Sequence, residues 1–192
     1  MIPLWFKLSY TAFVLVIVVV WLRHYGPRNL LWLSDIALIG AVPALWLESA
    51  RLASMLTVAT LLLELFWNVD LGLRLLLRRR IAGLTEYMFE KDRKRILRLW
   101  SLFHVPLPLL LAWMMLTFGY DRHGLVDAML LMLVVLPASR WLGGPERNIN
   151  WAYGLGRVQQ RFGAAAWMTM LYVGYVGLIF APTHALMLWL GA

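Results

Sequence analysis

Long apolar runs separated by short polar stretches dominate this chain, and the spacing of the polar stretches sets the expected elements. At about 20 mainly apolar residues per crossing of a bilayer core, the pattern predicts six spans. They run from about Leu4 to Leu22, Leu30 to Leu47, Leu52 to Leu73, Leu99 to Gly119, Leu125 to Leu142 and Ala164 to Leu190. The last is expected to break at Pro182, because proline removes a helical hydrogen bond and crowds the preceding turn. Trp5, Trp21, Trp32, Trp46, Trp100, Trp141, Trp167 and Trp189 fall near the predicted ends, where indole prefers the membrane interface. The fold class is therefore all-α, a polytopic transmembrane helix bundle forming one integral membrane domain over residues 1–192. The first run lacks a small-x-small cleavage pattern and is expected to be a retained span rather than a signal peptide.

Charge gives the bundle a direction. The stretches Arg23 to Asn29, Arg74 to Arg98 and Arg140 to Arg161 hold two, nine and four Lys or Arg, fifteen of the chain's eighteen. Only Lys7, Arg51 and Arg122 fall on the other side. Lys and Arg are retained on the cytoplasmic side, so both termini are expected outside, in a multi-pass protein. Between the third and fourth spans, Thr85 with Glu86 can start a helix. Tyr87, Met88, Phe89, Ile96 and Leu97 then alternate with cations, predicting an amphipathic helix on the cytoplasmic leaflet.

Composition agrees and excludes other classes. The chain is 62% hydrophobic and 15% charged, with mean hydropathy +0.72, outside the norms of soluble domains. A net charge of +8 carried between apolar runs points to anionic lipid at the cytoplasmic leaflet, not to nucleic acid. The absence of cysteine rules out disulfides, thiolate metal sites and a thiol nucleophile.

The candidate chemistry lies inside the spans. Glu64, Asn68 and Asp70 interrupt the third, and an intramembrane ionisable group marks a central helix and a functional site. In the six-span reading Asp35, Asn68 and His104 each lie about five residues from the cytoplasmic end of a helix, roughly 7 to 8 Å deep at 1.5 Å per residue. Glu64 is one turn deeper on the same face as Asn68. Asp35, Glu64, Asn68 and His104 are thus the expected shared site, while Asp70 is expected to pair with Arg74. Pro106 and Pro108 leave the carbonyls of Leu102 and His104 without their usual helical donors. Pro43 and Pro137 act similarly in the second and fifth spans.

A pattern recurs on the cytoplasmic side. Gly26-Pro27-Arg28-Asn29-Leu30-Leu31-Trp32 is echoed by Gly144-Pro145-Glu146-Arg147-Asn148-Ile149-Asn150-Trp151, with one inserted residue. Gly-Pro turns the chain and Asn caps a helix. Arg28, Asn29, Arg147, Asn148 and Asn150 are therefore candidates for holding an anion or lipid phosphate, beside a purely structural elbow. The stretches YGPRNLLWLSD and PERNINWAYG, with Trp67 to Asp70, resemble a family of small uncharacterised bacterial polytopic membrane proteins. That resemblance implies a bacterial inner-membrane location and carries no known activity or catalytic residue.

Three functions fit these residues. The chain is an accessory or assembly subunit beside a partner membrane subunit, a carrier of a small molecule or lipid, or an enzyme. In the enzyme, His104 would be the general base, with Asp35 or Glu64 orienting it on an amphipathic substrate. No HExxH, GxSxG or HxxxH pattern is present. His104 with Asp35 and Glu64 is a weak metal set, so no metal ligand is expected, and the residues leave any cofactor unknown.

Overall fold

The computed structural model describes residues 2–80 and 82–191, and among these every regular element is helical. The helices are α1 (Leu4–His24), α2 (Leu33–Trp46), α3 (Ala50–Leu77), α4 (Arg95–Ser101), α5 (Pro106–Phe118), α6 (Gly124–Gly143), α7 (Ala164–Tyr175) and α8 (Ala181–Leu190). α4 and α5 form one bent unit, and so do α7 and α8. Five units are long and apolar enough to cross a membrane: α1, α3, Arg95–Phe118, α6 and Ala164–Leu190. α2 is the exception, with 14 residues, about 21 Å against a core of about 30 Å. Its two ends still meet opposite ends of α1. Asp35 near its start accepts from Trp21, and Glu48 just past its end accepts from Ile2 N–H and Lys7 Nζ at 3.1 and 2.8 Å.

α3 is the central post, packed against α2, α5 and α6. It starts because Ser49 Oγ accepts the Leu52 N–H at 3.3 Å, filling a donor that the first turn leaves open. It stops where Arg78 turns left-handed (φ 53°). Eleven of its residues are buried, including Ser54, Thr57, Thr60, Glu64 and Asp70. A side chain at Gly124 would lie within 2.9 Å of the Ser54 backbone, so only glycine lets α6 start this close to α3.

Proline shapes the two composite units differently. Ahead of Pro106 the chain tightens into a 3₁₀ turn over Leu102–His104, and Val105 N–H takes up the Leu102 carbonyl at 3.0 Å. Around Pro182 there is no break: the helix widens into a π turn over Val176–Phe180 and continues. A π turn absorbs the missing donor by shifting the bonding register.

The segment expected as an amphipathic helix takes another form. Glu86–Phe89 is a single 3₁₀ turn, and regular helix resumes only at Arg95. Two captures account for this. The Asp70 carboxylate accepts from Ala82 N–H, Thr85 N–H and Thr85 Oγ1 at 2.9, 2.9 and 2.8 Å. The Arg98 guanidinium takes the carbonyls of Glu90 and Arg93 at 2.6 and 2.9 Å, which a helix would have used internally. Asp70 therefore does not pair with Arg74, whose guanidinium lies 4.8 Å from the centre of the Phe89 ring.

Candidate functional site

At the centre of the basic end, Glu64 on α3 meets His104 at the bend before α5. Glu64 Oε2 lies 2.7 Å from His104 Nδ1, and Glu64 is only 2% exposed. The imidazole is held between two rings, stacked 4.5 Å from Trp67 and 4.1 Å from Phe103 between centroids. Both faces are thus covered and one nitrogen is occupied, so position and rotation of the ring are defined. Asn68, one turn from Glu64, donates to the Glu64 carbonyl at 2.8 Å and to the His104 carbonyl at 2.7 Å. The second oxygen is one that proline opens, and a side-chain amide from another helix completes it.

Asp35 does not join this group directly. Its oxygens accept from Trp21 Nε1 at 2.8 Å and Asn29 Nδ2 at 3.1 Å. A chain of contacts links the two clusters across the loop after α3. Trp67 Nε1 donates to the Tyr87 hydroxyl at 3.2 Å, and Arg93 lies over the Tyr87 ring at 4.9 Å. Arg93 then donates to the Tyr25 hydroxyl at 2.7 Å, and the Tyr25 ring meets Trp21 edge-on at 5.4 Å. Burial pushes the Tyr87 phenol above its ordinary range, which keeps it a neutral donor and acceptor. Among the described residues no set of three His, Asp or Glu is positioned to hold a metal ion.

The residues carrying this linkage, Trp21, Trp67, Tyr87, Tyr25 and Arg93, are absent from the set expected from sequence. Trp21 reads as an interfacial anchor there, yet it is buried and bonded to Asp35. Trp167 is likewise buried and donates to the Trp151 carbonyl at 3.0 Å, whereas Trp5, Trp141 and Trp189 are exposed. The signal for Trp21 was available: a buried indole needs an acceptor, and Asp35 is the acidic residue nearest to it in sequence.

The two related elbows pack on one another. Trp32 and Trp151, the last residue of each pattern, meet edge-to-face at 6.4 Å. Arg147 donates to the Tyr25 carbonyl just before the first elbow. Asn150 is the pin: its Oδ1 accepts Leu33 N–H at 3.2 Å, and its Nδ2 donates to Leu31 O at 2.7 Å and Ser139 Oγ at 2.9 Å. It thereby caps α2 from 117 residues away. Asn148 closes its own loop through Tyr153 N–H and Gly154 O. Both asparagines adopt positive φ, 45° and 50°, a conformation Asn tolerates better than most residues. Arg28 is exposed, and Asn29 is spent on Asp35.

An apolar groove of about 460 Å³ opens between α1 and α5, lined by Phe13, Leu38, Phe103, Pro106, Leu107 and Trp113 among others. The Phe103 ring stands between this groove and His104. Comparison of the chain with family models, curated proteins and solved structures returned no match.

Proposed function

We propose that this chain is an accessory or assembly subunit of a membrane complex, with the polar layer of its basic end knitting the helices together. One observation carries the reading: most polar groups of the layer are bonded to other parts of the chain. Both Asp35 oxygens, both Asn68 donors and the whole Asn150 amide have protein partners. In hydrocarbon, interhelical hydrogen bonds and close packing replace the hydrophobic drive that joins helices in water. The basic end faces the cytoplasm of a bacterial inner membrane, with both termini outside and Arg28 and Arg147 beside anionic headgroups. Extraction from native membranes in mild detergent, followed by size analysis, tests the role. The expected result is a complex larger than a single 22.1 kDa chain in its micelle. A chain that always elutes alone refutes it.

A carrier is the second reading, favoured by the Glu64–His104 pair. A purely structural contact is better made with apolar side chains, because buried ionisable groups carry a desolvation cost. The enzyme reading has least support. Trp67 and Phe103 cover both faces of His104, and Glu64 occupies Nδ1.

A further inference from the structure

α3 carries more buried polarity than the Glu64 site uses. Ser54, Thr57, Thr60, Glu64 and Asn68 follow at intervals of three or four residues, which keeps them within one broad side of the helix. The first four are at most 2% exposed. At 1.5 Å per residue, Ser54 to Glu64 covers about 15 Å along the axis, half of a hydrocarbon core.

Each end of the stripe meets protonatable groups. At the end away from the basic loops, Ser54 Oγ accepts Asp121 N–H at 2.8 Å. Asp121 itself sits 2.8 Å from His123 Nδ1, and its carboxyl is held below the usual range by His123 N–H and the His123 ring. The neighbouring Tyr120 hydroxyl is 2.5 Å from His184 Nδ1, and Arg51 binds Asp127 at 2.6 Å nearby. At the other end stand Glu64 and His104, with Tyr87 and Arg93 beyond.

Thr57 lies between, and it is the anomaly. Its Oγ1 is fully buried and has no hydrogen-bond partner among the described residues. Thr60, by contrast, bonds back to the Leu56 carbonyl at 2.7 Å. A buried hydroxyl without a partner is costly, and in a native fold it calls for a water or a ligand. Its place on α3, three residues from Ser54 and seven from Glu64 and so between two sets of titratable groups, identifies the partner by chemistry. It is small, both donor and acceptor, and able to pass a proton.

We infer that the α3 stripe is a proton path, in which water held by Thr57 relays protons between Ser54 at the Asp121–His123 end and the Glu64–His104 pair. A proton entering from the Asp121–His123 side passes as hydronium or by exchange along water to Glu64 Oε1. The Oε2 proton that bridges to His104 Nδ1 in the 2.7 Å contact then moves onto Nδ1, and the imidazolium so formed releases its Nε2 proton at the basic end, so that one proton leaves for each that enters. No bond other than O–H and N–H changes, and no oxidant or co-reactant is needed. This function goes beyond the subunit role proposed above and does not depend on it.

The test uses the full chain reconstituted in phosphatidylethanolamine–phosphatidylglycerol vesicles with an internal pH-sensitive dye and a potassium diffusion potential. Wild type should move protons faster than protein-free vesicles. Thr57→Val, nearly isosteric but without the hydroxyl, should cut that flux by at least about tenfold, a modest share of the roughly hundredfold or more that a positioned proton-transfer group contributes. Thr57→Ser should keep most of it, and Thr117→Val, an exposed site on α5, should keep all of it. Wild-type flux at the protein-free level overturns the inference, and so does Thr57→Val running as fast as wild type. If Thr57→Val does not fold by circular dichroism, Glu64→Gln takes its place under the same two criteria.

Discussion

The Asn68 side-chain amide donates at 2.7 Å to the main-chain carbonyl of His104, the oxygen that Pro108 leaves without a helical N–H. One residue on α3 thus repairs a defect that proline makes in the neighbouring span, and the same residue holds the Glu64 carbonyl at 2.8 Å. Asn68→Leu should destabilise the detergent-solubilised protein by about 1–3 kcal/mol, since it strands a buried acceptor. Pro108→Ala restores an N–H four residues after His104, so the double variant should recover part of the loss. A double-mutant cycle on thermal denaturation measures the coupling; strictly additive effects would disconnect the two residues.

Asn150 should be the most sensitive of the elbow residues. Asn150→Ala removes three hydrogen bonds that join Leu31, Leu33 and Ser139, at about 1 kcal/mol each with more for groups left unpaired. Asn29→Ala, at a half-exposed site with one bond to Asp35, should cost less. Melting temperatures of the two variants rank them, and the reverse order would contradict the pinning role.

The loop after α3 should open when Asp70 is changed. Asp70→Ala removes the acceptor for Ala82 N–H, Thr85 N–H and Thr85 Oγ1 while leaving the apolar packing of α3 in place. Trypsin should then cut faster after Arg78, Arg79 or Arg80, which are already exposed. Arg74→Ala, which loses only a contact with the Phe89 ring, should leave cutting near the wild-type rate.

Acid should weaken the contact between the start of α1 and the α2–α3 turn. Lys7 and the Ile2 N–H hold the Glu48 carboxyl below its usual value. The sign follows from that depression: the contribution is complete above the unfolded value of about 4.3 and is lost as pH falls through the lower folded value. Glu48→Gln should therefore flatten the acid limb of the stability profile. An acid limb identical to wild type would show that the contact is energetically silent, as many exposed pairs are.

Orientation is checked by single cysteines in this cysteine-free chain. Arg122→Cys and Lys91→Cys, both at exposed positions at opposite ends of the bundle, should react with an impermeant maleimide from opposite faces of the membrane. The first is expected to label from outside and the second from the cytoplasm. Labelling of both from one face would reject the arrangement.

Local physics explains what was legible in the chain itself. Hydropathy and helix period depend on neighbours within a few turns, so the helices appear where the apolar runs stand, and the all-α membrane fold follows from them. Proline chemistry is equally local: the open His104 carbonyl is readable from Pro108 alone. Depth along a helix is also readable, and Asn68 and His104, expected at one depth, meet through the His104 main-chain carbonyl. Rotation about the helix axis and the path of a loop are not local. They left Asp35 with Trp21 and Asn29 rather than with His104, turned Asp70 to Thr85 rather than to Arg74, and drew Arg93 between Tyr25 and Tyr87. They also folded one elbow against the other, so that Asn150 caps a helix that begins 117 residues earlier. Such partners are selected because each buried polar atom must find a counterpart somewhere in the packed bundle, and only the tertiary structure decides which atoms come within reach.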